Sequence, residues 1–254
     1  MRFTPLETYA GMRPAQNFFN PSDDTGLTLG LGAPITSVPN GLIVKAFDPY
    51  WGGAEFMYCR ANGTIRNLGL CVVTPTFNSG ENRWRYEATE APATANLGRA
   101  LGVAMRDMVA GQYGWFCVGG TIPVNCNASV AADTTFGIAA AGQGGANVAG
   151  RQVLNARIVA AGSTTVVKTG QLSGGSPQIR VNNIDGWFVG AFLSGTGVPA
   201  ATTVTAIDSG GMMVTMSNAA TAGGQTAVTA TYNNATIHYN VVHLNRPFAQ
   251  GAIT

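Results

Sequence analysis

The chain has 254 residues, of which 46% are hydrophobic and only 10% charged, against about 25% charged in an average soluble domain. A net charge of +2 without any run of Lys and Arg excludes the electrostatic footprint of a nucleic-acid binder, and no apolar run is long enough to span a membrane as a helix. With 34 glycines and abundant Thr, Ala, Val and Asn, the composition predicts an all-β chain, a β-sandwich or barrel-like main domain. So few charges leave little to hold free monomers apart, which suits a protein that works in an assembly.

The first element in chain order is an extended N-terminal arm over residues 1–40, interrupted by Pro5, Pro14, Pro21, Pro34 and Pro39. Its apolar side chains, Phe3, Leu6, Tyr9, Phe18 and Phe19, are candidates for insertion into a neighbour, or for covering the chain's own core. The start MRFTPLETYAG has no apolar signal-peptide core, so the expectation is synthesis in a cytoplasm without export by that route. Strands are predicted at Leu42–Ala46 and Glu55–Arg60. Asn62-Gly63 predicts a hairpin whose return strand is 64–73. A second hairpin is expected to join Val72–Phe77 to Arg83–Thr89, with Arg83, Arg85 and Glu87 on one face and Trp84 and Tyr86 on the other.

Leu97, Leu101, Met105 and Met108 repeat at helical spacing, but Gly98 and Gly102 each cost a helix about 1 kcal/mol against Ala. The preferred reading is a loop or single turn to Gly98, then a strand at Leu101–Met105 paired with Tyr113–Val118. The uncharged stretch Ala110–Ala131, AGQYGWFCVGGTIPVNCNASVA, reads as two short strands reversing at Gly119-Gly120. Its Trp115 and Phe116 are core residues that also qualify as assembly contacts. Residues 137–150 read as a surface loop, and Gln152–Ala161 and Thr164–Thr169 as strands. Residues 171–231 hold three charged residues and short strands spaced like a small β-sandwich, with Met212, Val214 and Met216 facing inward. The closing strand, ATIHYNVVHLNRPFAQGAIT, alternates well enough to complete the first sheet. The main domain is therefore expected over 41–170 plus 232–254, with 171–231 inserted.

Each chemical constellation is weaker than its structural alternative. Cys59, Cys71, Cys117 and Cys126 lack metal-ligand spacing and read as buried free thiols. His238 and His243 fall on opposite faces of a strand. Glu81, Glu87 and Glu90 lie among arginines, where ion pairing is simpler than an acid–base pair. Tyr50, Trp51, Trp84 and Tyr86 have faces suited to sugar rings, but burial or an interface accounts for them more simply. No nucleophile elbow or phosphate loop is present. The expectation is a non-enzyme without cofactor or metal.

The runs GQYGWFCVGGTIPVNCNASVAADTTFGIAAAGQ, HLNRPFAQGAIT and GWFVGAFLSGTGVPAATTVTAIDSGGMMVTMS resemble segments of head decoration (cement) proteins and related virion proteins of tailed bacteriophages. LIVKAFDPYWGG and TIRNLGLC add a weaker likeness. The resemblance implies a structural protein on the outer surface of the virion's capsid. There it reinforces contacts between major capsid protein subunits, often as a homotrimer, with no nucleic-acid or membrane partner and no catalytic residue. The alternative is a tail-fibre or receptor- or carbohydrate-binding virion component, in which Trp187 contacts a glycan.

Overall fold

A computed structural model describes residues 40–80, 82–162, 164–208 and 212–252, with the backbone of Thr4–Pro5. The described residues are all β, without helix. In chain order the strands are β1 (Thr4–Pro5), β2 (Ile43–Asp48), β3 (Gly52–Ala61), β4 (Leu70–Asn78), β5 (Arg83–Glu90) and β6 (Leu101–Ala104). Next come β7 (Tyr113–Cys126), β8 (Thr135–Ala140), β9 (Gln143–Ala146) and β10 (Gln152–Ala160). A second body follows with β11 (Thr165–Leu172), β12 (Gln178–Val181), β13 (Phe192–Gly195), β14 (Thr202–Asp208), β15 (Met213–Met216) and β16 (Gly224–Thr231). The chain then returns to the first body in β17 (His238–Ala249).

The first sheet runs β1-β2-β3-β5-β4-β6-β7-β17-β10-β8-β9, and the extra pairings β3–β7 and β7–β9 fold it back on itself. One ring of strands closes through β3, β5, β4, β6 and β7, and a second through β7, β17, β10, β8 and β9. The long β7 belongs to both rings. Its first half pairs with β3 from Tyr113 to Gly119, and its second half pairs with β17 from Gly119 to Cys126. The interior of the first ring takes small side chains from each strand: Cys59 and Ala61, Cys71 and Val73, Ala88, Ala104, and the larger Phe116. Narrow closed sheets fill this way, because there is no room for a large residue from every strand.

The expected reversal at Gly119-Gly120 is therefore absent, and β7 runs straight through both glycines. Val118 is an extra residue opposite β3, since Phe56 pairs with Cys117 and Glu55 with Gly119. Gly120 has φ +114°, and a β-carbon there would lie 2.6 Å from the Ala54 β-carbon and 2.7 Å from the Gly53 carbonyl oxygen. Glycine lets the strand bend while the two backbones touch. The pair reads as a turn in sequence because a turn and the bend at Gly120 need the same missing side chain.

Further expectations change. Asn62-Gly63 does not join two paired strands; the neighbours of β3 are β2, β5 and β7, and Asn62 instead hands its amide to the Glu87 carboxylate at 3.1 Å. Residues 137–150 are not a loop throughout, because β8 and β9 form a hairpin there. Gly144 is the reason that pairing fits: a β-carbon on it would sit 2.2 Å from the Phe136 ring. The second body begins at Thr165, ahead of the expected 171, because β11 pairs with β16 along its whole length. It is a closed barrel, β11-β12-β15-β14-β13-β16, rather than an open sandwich. Val214 and Met216 face its core as expected, whereas Met212 is exposed.

Other readings agree with the structure. β4 and β5 form the second hairpin, β6 pairs with β7 through Val103–Cys117 and Ala104–Phe116, and β17 completes the first sheet. Thr4–Pro5 adds to the β2 edge opposite Phe47 and Ala46. Phe3, Tyr9, Phe18 and Phe19 lie outside the described residues.

The barrel is seated on the sheet by aromatic contacts. The Phe188 ring meets Tyr232 at 4.9 Å and Tyr239 at 5.2 Å, both edge to face. The Tyr232 hydroxyl donates to the Gly186 carbonyl at 2.7 Å, and the Asn67 amide donates to the Val189 carbonyl at 2.7 Å. Gly190, at φ +101°, leaves room for the Tyr239 hydroxyl, which a β-carbon would approach to 2.7 Å. Buried Asn240 ties the loops beneath: it accepts from the Val130 and Gly162 amides and donates to the Ala128 carbonyl.

Candidate functional site: a projecting aromatic ribbon

The β4–β5 hairpin outruns the ring that holds it. Its base is paired on both sides, β4 with β6 at Leu70–Val72 and β5 with β3 at Arg60–Glu87 and Ala61–Ala88. Beyond that base, among the described residues, Pro75–Asn78 and Arg83–Tyr86 have only each other as ladder partners. Register places Val73 opposite Ala88, Pro75 opposite Tyr86, and Phe77 opposite Trp84. Side chains alternate along a strand, so these pairs share one face, which is interior at the ring and open at the tip. Trp84 is 70% exposed and Phe77 47%, with ring centroids 5.5 Å apart. An isolated two-stranded ribbon is marginal in water, and an aromatic face of this kind gains most when something covers it.

Local contacts hold the ribbon in place. Asn40 clasps its flank, donating to the Tyr86 carbonyl at 3.1 Å and accepting the Tyr86 backbone N–H. Gly41, at φ +84°, lies against the Tyr86 ring, where a β-carbon would come within 2.5 Å. On the opposite face Glu87 is buried and accepts from Arg60 at 3.1 Å, Arg85 at 2.8 Å and Asn62 at 3.1 Å. Pro75 removes an N–H from the β4 edge, which discourages uncontrolled strand addition there.

Of the carboxylates with a possible acid–base role, Glu87 and Glu90 are committed to arginines, and Glu81 lies outside the described residues. Glu90 receives Arg66 through two bonds, at 2.7 and 3.0 Å, and also takes the Arg66 backbone N–H at 3.0 Å. These side chains border a cavity of about 460 Å³ with Arg106 and Asp107. Asp107 accepts the Asn67 backbone N–H at 2.8 Å. Sequence proximity pointed to Arg85 as a partner of Glu87, but Arg60 and Arg66 come from β3 and the following loop. Only the tertiary pairing brings them in.

All four cysteines are buried free thiols. Burial pushes the Cys117 thiol up to about 12 and the Cys126 thiol to about 11, and raises Cys59 and Cys71 as well. Thiols held protonated in this way are poor nucleophiles and poor metal ligands. Among the described residues, no group of three or more His, Cys, Asp or Glu gathers as a metal-binding set.

Two expectations about contact residues need correction. Trp115 and Phe116 are 1% and 0% exposed within the single chain, so neither offers surface to a partner. Trp115 packs on Tyr58 at 5.0 Å, whereas Phe116 fills the first ring. Trp187 is likewise fully buried, with its indole N–H donated to the Val166 carbonyl at 3.3 Å, and cannot stack on a glycan. Phe77 was not singled out as a contact, although its place on an outward hairpin, cross-strand from Trp84, was a usable signal. No protein-family model, curated protein or solved structure matches the chain.

Proposed function

We propose that the chain is a structural virion protein that binds the outside of a phage capsid and reinforces contacts between major capsid protein subunits, most simply as a homotrimer. The observation that carries this reading is the projecting ribbon, with Phe77 and Trp84 open to solvent on an otherwise closed β scaffold. Buried aromatic anchors supply most of the energy of protein docking, and a protein that engages a repeating lattice multiplies weak contacts through effective concentration. The sparse charge supports the same reading, since a surface that spends its life covered needs little electrostatic protection. The sequence resemblance to decoration proteins points the same way.

The experiment adds purified chain to capsids that lack it. The expected result is saturable binding, with shells that withstand heating better than bare ones. Equal heat resistance with the chain bound overturns the reinforcing role.

A further inference from the structure

A second recess lies away from the ribbon, where β2, β3, β7 and β17 meet. It has a volume of about 500 Å³ and is lined by Lys45, Glu55, Gly119, Gly120, His243 and Arg246 among others. Lys45 is cross-strand from Glu55, and Glu55 is cross-strand from Gly119, so the three form a row across the sheet. Glu55 accepts from the Arg246 Nε at 3.3 Å, a contact that leaves the two terminal amino groups of the guanidinium for another partner. Arg246 holds a left-handed backbone, φ 49°, within β17, which costs a non-glycine residue energy. Thr121 Oγ1 lies 3.0 Å from His243 Nδ1, so the other ring nitrogen is the one left for a ligand.

Gly119 has no structural need to be glycine. Its φ is not left-handed, and a β-carbon would meet Glu55 at 3.5 Å, an ordinary contact. A larger side chain there would stand in the recess. The missing side chain therefore keeps the recess open without serving the packing, unlike Gly120 beside it.

We infer that this recess is a binding site for carboxylate groups of an acidic polypeptide segment, taken by Lys45 and the free edge of Arg246 with Glu55 holding the guanidinium in place. An acidic peptide fits better than nucleic acid, because the cations form one short cluster rather than a stripe that follows phosphates. The inference rests on the reading of the chain as a protein that docks on other proteins. Its test uses the isolated chain, so a failure here leaves shell binding standing.

Hexaglutamate is titrated into the full chain at low salt, followed by calorimetry, with oligothymidylate as the competing anion. The expected result is saturable binding of hexaglutamate that weakens about tenfold or more in Lys45→Glu and Arg246→Glu. Gly119→Val is expected to weaken it as strongly while thermal stability stays close to the parent. No saturable binding, affinity unchanged from the parent in the three variants, or oligothymidylate bound as tightly through the same residues overturns the assignment.

Discussion

Gly120→Val is expected to destabilise the fold by about 4 kcal/mol or more, the range of severe backbone and overpacking effects. At roughly 2–4 °C per kcal/mol for a domain of this size, the melting temperature falls by about 10 °C. The cause is specific. At φ +114° a β-carbon is strained, and it would lie 2.6 to 2.8 Å from Ala54 and the Gly53 oxygen. β7 and β3 would have to separate where β7 passes from one ring to the other, so both rings lose a wall. Gly119→Ala, one residue earlier, is the matched control and is expected to change stability little, because its β-carbon finds only ordinary contacts. Scanning calorimetry of the two variants checks the pair of outcomes. Equal stability would mean that the bend of β7 does not depend on Gly120.

Phe77→Ser with Trp84→Ser has its large effect elsewhere. The two rings contact each other and solvent, so their loss costs the isolated chain about 1 kcal/mol. If they are docking anchors, each is worth about 2 kcal/mol at the interface. The double variant is then expected to bind shells about 1,000-fold more weakly, with melting almost unchanged. Co-sedimentation over a concentration series reads this directly. Unchanged affinity would remove the ribbon from the interface.

The β class, the β4–β5 hairpin with its two faces, the β6–β7 pairing and the return of β17 were legible because each rests on period-two alternation or on local turn residues. Ring closure was not. Strand β7 touches β3 through residues far upstream and β17 through residues far downstream, and nothing local marks where one partner gives way to the other. Gly120 shows why: a tight turn and a bent, close-packed strand both call for glycine at that position. Gly144 against Phe136 is the same lesson in β9, where glycine-rich composition suggested a loop and packing demanded a strand. For the candidate site, Trp84 and Tyr86 were placed on one face from sequence. That this face continues the interior of a ring and then leaves it open depends on where β3 and β6 stop pairing.

The most direct test of the capsid assignment is a three-dimensional reconstruction of the virion that carries this chain. The account predicts density for it in many symmetry-related copies on the outer capsid surface, with the β4–β5 ribbon turned toward the major capsid protein. A few copies confined to the tail, or a ribbon pointing into solvent on every copy, would contradict it.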